Sequence, residues 1–216
     1  MSYKTIFENE HFIIVDKKAN VLSVPSRLGK SDPRACLGHV LEENLKSTIF
    51  PVHRLDFEVQ GLIMYAKTPE AQKAGNLWFE QKTISKIYSA LTTSLKSGPT
   101  EFVIGELQTW KCQLLRGKKR AFESAHGKNS ITHARLLKVG EKGIFHWELE
   151  PVTGRSHQLR YELFRHHHPI MGDTLYSSPS SFSEEGIALR AFKIDFSKTP
   201  NSKNFFLPEK IEIEKF

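Results

Sequence analysis

The sequence predicts an α+β fold, a mostly antiparallel mixed sheet flanked by helices and loops. Three observations carry that prediction. Strand-like segments recur in SKIYSALTT (85–93) and in the pair ITHARLLKV (131–139) and GIFHWELEPV (143–152), which VGEKG joins as antiparallel neighbours. Helix start signals stand at Asp32-Pro33 and at Thr68-Pro69, each with a cap residue before a proline. Strand and helix patterns mix without a regular βα alternation, which argues against a parallel, doubly wound sheet.

The elements follow in chain order. HFIIVDKK (11–18) is a short apolar run closed by charge, and reads as a strand. In SDPRACLGHVLEENL, Asp32 is placed to cap, Pro33 takes the first helical position, and Leu37, Val40, Leu41 and Leu45 recur at helical spacing. HRLDFEVQGLIMYAK (53–67) sets a basic pair, one aspartate and a glycine against an apolar run that reads as a buried strand. Thr68-Pro69-Glu70 opens a helix expected to reach about Phe79. Gly98-Pro99 marks a turn, and RGKKRAFESAHGKN (116–129) reads as a mobile or RNA-facing hairpin within a segment of blurred pattern. In SHQLRYELFRHH (156–167), Leu159 and Leu163 have helical spacing and Ser156 is the expected cap. SSPSSFSEEG (177–186) is a serine-rich surface loop, and IALRAFKIDF (187–196) the final strand; no internal repeat is present.

Composition bounds the function. With 216 residues, 39% apolar and 25% charged, the chain can bury a sizeable core and is expected to form one domain over 1–216. Lys and Arg number 31 against 24 acids, a formal charge of +7 that suits a polyanionic partner. Cys36 and Cys112 fit no metal or redox spacing, and read as reduced packing residues. MSYKTIFENEHF lacks the apolar core of a signal peptide, and no apolar run approaches the roughly 20 residues that span a bilayer. A cytoplasmic protein is expected.

Several chemical signals fail on inspection. Gly127-Lys128-Asn129 echoes a phosphate loop, but Phe122 and Asn129 stand where that motif needs glycine and Ser or Thr. His166, His167 and His168 point in different directions on a helix and lack spaced partners for a metal. Nucleophile elbows and glycine-rich dinucleotide fingerprints are absent from the sequence. Three segments survive: HRLD with its glycine and apolar run, SKIYSAL, and GRSHQLRYELFRHHHPIMGDTLY (154–176). Each alone has an ordinary explanation: Asp56 as a loop ion pair, Tyr88 as a strand aromatic, Arg160 as a surface charge.

Their order along the chain resembles the RluA family of RNA pseudouridine synthases. IFENEHFIIVDKKANVLSVP is similar to that family's opening strand and turn, with Lys17-Lys18 and Ala19-Asn20 in place of the usual Lys-Pro and Ala-Gly. A further departure is Val59-Gln60, where the family usually has Thr-Ser before the glycine. The resemblance covers about Ile6 to Phe196, with a weak middle between Gly98 and Asn129.

That resemblance implies the fold and a reaction that moves uracil from N1 to C5 attachment on ribose C1′. Such a reaction needs neither metal nor cofactor, and none is expected. It implies Asp56 as the catalytic carboxylate, acting at the sugar either covalently or by removing the C2′ proton. Arg160 is implied as the guanidinium that keeps Asp56 ionised and aimed, with Arg155 as runner-up. Tyr88 is implied to lie against the uracil and to take the C5 proton. His53 and Arg54 are candidates to brace RNA once the uridine is flipped out. Lys86, Arg155, His157 and Gln158 complete the expected substrate contacts. Arg116, Lys118, Lys119, Arg120 and Lys128 are candidates for phosphate contacts, against an equal expectation of a solvated hairpin tip. The expected partner is tRNA or ribosomal RNA. The expected protein is a monomeric stand-alone catalytic domain without an accessory N-terminal RNA-binding domain. A catalytically inactive RNA-binding relative is the alternative, supported by Val59-Gln60 and Lys18.

Overall fold

The computed structural model describes residues 2–95 and 102–216, so the expected Gly98-Pro99 turn lies outside the described residues. These residues form two compact units, Met1–Ser85 with Ala191–Ile213 and Lys86–Arg190 with Glu214–Phe216.

In the first unit, β1 (Tyr3–Glu8) pairs antiparallel with β2 (Phe12–Lys17). Phe12 through Val15 are all buried, which is why β2 reads as a continuous apolar run and not as an alternation. Helix α1 (Leu37–Leu45) starts later than Asp32-Pro33 signals, with Cys36 at its N-cap. Asp32 is instead occupied by Arg34, whose N–H, Nε and Nη2 donate to its carboxylate at 3.1, 2.9 and 2.6 Å. The chain ahead of α1 also runs extended beside Leu22: Leu22 N–H donates to Ala35 O at 2.9 Å and Leu37 N–H to Leu22 O at 2.8 Å. Helical dihedrals cannot begin until that bridge ends.

A two-residue β3 (Phe50–Pro51) pairs with β4 (Gln60–Ala66), which pairs along its length with β2. Every residue of β4 is buried, as the apolar run after the glycine requires. Helix α2 (Pro69–Glu80) begins where the sequence places it, with Thr68 Oγ1 accepting from Ala71 N–H at 3.2 Å. Ala71, Gly75 and Trp78 form its buried stripe.

The second unit holds β5 (Ser85–Thr93, from Lys86 onward), β6 (Leu107–Arg116), β7 (Ala121–Glu123), β8 (Lys128–Val139) and β9 (Ile144–Pro151). Their order is β5-β9-β8-β6-β7, and each ladder is antiparallel. A 3-10 turn at Glu141–Gly143 joins β8 to β9, as VGEKG predicts. The blurred segment contains β6, in which Trp110, Cys112 and Leu114 are buried while Lys111, Gln113 and Leu115 face out. RGKKRAFESAHGKN is a hairpin, closed by Gly117 N–H donating to Arg120 O at 3.0 Å.

Helix α3 (Gln158–Arg165) corrects the expected cap. Its N-cap is His157, in the left-handed region at φ 54°, and not Ser156. The turn before the helix is held by the Gln158 side chain, whose Oε1 accepts from Arg155 N–H at 3.0 Å. The chain then returns to the first unit with β10 (Leu189–Asp195), which from Ala191 lies beside β4, and with β11 (Lys210–Glu212), paired antiparallel to β10. IALRAFKIDF is therefore not the final strand. Phe12, Ile14, Leu62, Met64, Trp78, Ile194 and Phe196 meet in the first unit's core. Among the described residues, no helix is long and apolar enough to cross a membrane.

Candidate active site

The loop carrying Asp56 is tied down at every turn. Ser23 Oγ donates to Leu55 O at 2.9 Å and accepts from Leu55 N–H at 3.1 Å, clamping the backbone immediately before Asp56. Asn20 N–H donates to Phe57 O at 2.8 Å, clamping it immediately after. Asp56 O accepts from Val59 N–H at 3.2 Å, closing the turn into β4. Gly61 then takes φ +115°, and a Cβ there would lie 2.3 Å from Ala191 O and 2.5 Å from Ala191 N. Only glycine lets β4 start this close to β10. The result is a half-buried carboxylate on a loop with little freedom.

Lys17 is the residue that sequence reasoning missed. Its side chain is fully buried, and Nζ donates to Lys18 O and Val21 O, each at 2.9 Å, and to Phe57 O at 3.4 Å. Burial pushes its ammonium down to about 8, while the nearby charges of Asp56 and Glu58 hold it up. A buried cation thus braces the Asp56 loop. The available signal was a lysine closing a strand that opens with four apolar residues.

His53 is spent on the fold. Its Nε2 accepts from Met64 N–H at 2.9 Å, and its ring lies 4.7 Å from that of Phe79. It continues the β3 side of β4 where β3 itself has ended, which ties the expected substrate residue His53 to the fold. Arg54 is exposed and remains available. Val59 is 2% exposed, a setting in which valine needs no hydrogen-bond partner and threonine would.

In the second unit, Lys86 and Tyr88 lie two apart on β5 and so share one face. Tyr88 is buried, and burial pushes the Lys86 ammonium down to about 8. Arg160 and Asp173 are 2% and 1% exposed and form a bidentate pair, Nε to Oδ2 at 2.7 Å and Nη2 to Oδ1 at 2.8 Å. The guanidinium carbon also lies 5.5 Å from the centre of the Tyr176 ring. Asp173 and Tyr176 stand in the quoted GDTLY, but no spacing rule pairs them with Arg160; only the folded chain does.

Gln158 is a bolt between elements. Its Oε1 accepts from Thr153 Oγ1 at 2.8 Å and from Arg155 N–H at 3.0 Å. Its Nε2 donates to Ile131 O and Thr132 Oγ1, each at 2.9 Å, so the amide's full capacity is used. Arg155 Nε donates to Asn129 O at 2.9 Å, and His157 is partly exposed. Arg116, Lys118, Lys119, Arg120 and Lys128 are all exposed at or beside the β6–β7 hairpin. His166 stacks on Trp110 at 4.2 Å and His168 packs on Phe145 at 4.5 Å, which gives these two histidines a packing role.

Comparison with known proteins places this geometry. A family model described as RNA pseudouridylate synthase matches residues 11–166. The chain is 32% identical over 213 residues to the dual-specificity RNA pseudouridine synthase RluA of Vibrio vulnificus, covering 94% of this chain and 82% of that protein. It is 30% identical over 219 residues to ribosomal large subunit pseudouridine synthase D of Nitrosomonas europaea, covering 95% of this chain and 61% of that one. Among solved structures, human RNA pseudouridylate synthase domain containing 1 has the same fold, with a TM-score of 0.72, 20% identity, and 98% of this chain and 82% of that one covered.

Proposed function

This chain belongs to the RNA pseudouridylate synthase family, and from that premise we propose that it isomerises uridine to pseudouridine in tRNA or ribosomal RNA, with Asp56 as the catalytic carboxylate. It is an enzyme and an isomerase. The reaction breaks the bond from ribose C1′ to uracil N1, and rejoins the same base through C5. A carboxylate at the sugar supports that change, as nucleophile or as base, and must be ionised to do so. The observation that carries the assignment is the Asp56 loop itself: it is clamped by Ser23 and Asn20, while the fully buried Lys17 ammonium holds Phe57 O.

In this reading Tyr88 lies against the uracil and takes the C5 proton, and Arg160, held by Asp173, supplies the guanidinium of the reaction. His53 and Arg54 brace the RNA left by the flipped uridine. Lys86, Arg155, His157 and Gln158 contact substrate, and the exposed cations of the β6–β7 hairpin with Lys128 contact phosphates. The two units act as one catalytic domain over 1–216, as a monomer in the cytoplasm.

The test is incubation of the protein with total tRNA and ribosomal RNA, followed by mapping of new pseudouridines. The wild type makes them, and Asp56→Asn makes none while binding the same RNA within about threefold, since the amide is nearly isosteric but neither nucleophile nor base. Turnover by Asp56→Asn would remove Asp56 from the catalytic role.

A further inference from the structure

We propose that Tyr176 is a positioning residue that couples the basic β6–β7 hairpin to Arg160, so that seating the hairpin on RNA sets the guanidinium. The proposal rests on the function above for the identity of the ligand. Its geometry lies wholly within the second unit.

Tyr176 is 1% exposed and touches three things at once. Its hydroxyl accepts from Ala121 N–H at 2.8 Å and lies 3.3 Å from Ala121 O, grasping both backbone groups of the first residue of β7. The same oxygen lies 3.3 Å from Nδ1 of His157, the residue that caps the helix carrying Arg160. Its ring covers the Arg160 guanidinium, with the carbon 5.5 Å from the ring centre. The hydroxyl proton lies toward Ala121 O at 3.3 Å, and His157 Nδ1 at the same distance takes that proton in one ring tautomer and donates to the hydroxyl in the other. The clasp can therefore tighten on the hairpin or on the helix start.

The backbone of Tyr176 fixes the other end of the link. Tyr176 N–H donates to Asp173 O at 3.2 Å, so one short turn supplies the carboxylate that holds Arg160 edge-on and the ring that covers its face. On the far side, Ala121 is 1% exposed and stands directly after the exposed cations Lys118, Lys119 and Arg120. β7 has three residues and is paired to β6 through Arg116↔Ala121, Leu115↔Phe122 and Leu114↔Glu123. So short a strand moves with its hairpin. A pull on the tip by phosphates reaches Ala121, then the Tyr176 hydroxyl, then the ring over Arg160.

Tyr176→Phe keeps the ring and removes only the clasp. At saturating RNA its single-turnover rate should fall about tenfold, with the half-saturating RNA concentration changed less than about twofold, because coupling of this kind acts on the bound complex. Neutralising the tip (Arg116→Gln, Lys118→Gln, Lys119→Gln, Arg120→Gln) should weaken binding in both backgrounds. It should lower the saturated rate only where Tyr176 is present, the non-additivity expected of linked residues. A saturated rate within twofold of wild type in Tyr176→Phe, or equal rate losses from neutralisation in both backgrounds, overturns the proposal. A second measurement needs no turnover. In Asp56→Asn protein, added total tRNA should shift the Arg160 Nε–H resonance, and the same addition to the Asp56→Asn, Tyr176→Phe protein should leave it in place. Equal shifts in the two overturn the coupling. A wild type that forms no pseudouridine would overturn the function while this resonance still decides the link.

Discussion

Replacing Asp173 by asparagine should be among the costliest single-atom-scale changes in the second unit. The pair it breaks is 2% and 1% exposed, with two near-parallel contacts of 2.7 and 2.8 Å. Asparagine keeps one acceptor oxygen but turns an amide N–H toward a guanidinium N–H, and it leaves Arg160 without that carboxylate. Breaking a buried ion pair from one side costs about 3–5 kcal/mol, because the surviving charge stays desolvated. For a chain of this size each kcal/mol moves the melting temperature about 2–4 °C, so a drop of about 6–20 °C is expected. Thermal melts and urea unfolding would read it, with the urea slope checking that unfolding remains two-state. A double variant, Asp173→Leu with Arg160→Met, removes both charges and should regain most of the lost stability while remaining inactive. A loss below about 1 kcal/mol for Asp173→Asn would refute the argument, since that is the range of exposed pairs. A double variant less stable than the single would refute it as well.

Two further changes test the other unit. Gly61→Ala should cost more than about 4 kcal/mol and leave little soluble protein, because its Cβ would sit 2.3 Å from a backbone oxygen that cannot move aside. Gly75→Ala, whose Cβ would meet the Val52 side chain at 2.8 Å, should cost about 1–3 kcal/mol. Equal soluble yields and melting temperatures for the two would contradict the distinction between backbone and side-chain clashes. Lys17 sets a pH dependence: its ammonium sits near 8 in the folded chain against an ordinary 10.5. Between those values the unfolded chain holds a proton that the folded chain has released, so this group's stability contribution is fully present above 10.5 and lost as pH falls through 8. The stability difference between wild type and Lys17→Met should therefore shift in favour of wild type by about 1.5 kcal/mol from pH 8 to 9.5. A difference that stays flat, or moves the other way, would show that Lys17 is not desolvated.

Much of this protein is legible in its sequence because the relevant physics is local. Thr68-Pro69 starts α2 where expected, since a cap and a fixed proline φ act within one turn. The run Leu62 to Ala66 lies in β4 because all five residues are buried there, and apolar composition alone reports that. The order of HRLD, K-x-Y and GRSHQLR resembles one family, and the family model over residues 11–166 agrees. Other features were decided only by the tertiary structure. Asp32 carries every local mark of a helix cap, yet pairing of Leu22 with the chain before Leu37 keeps that chain extended and gives Asp32 to Arg34. His53 and Gln158 stand in motifs as expected substrate contacts, and only the fold shows that each also bonds backbone groups. Lys17, Asp173 and Tyr176 gain their meaning from groups 13 to 55 positions away, as with Arg160 to Asp173 and Ala121 to Tyr176. A hydrogen bond or a desolvated charge depends on distance in space, and a one-dimensional pattern records only distance along the chain.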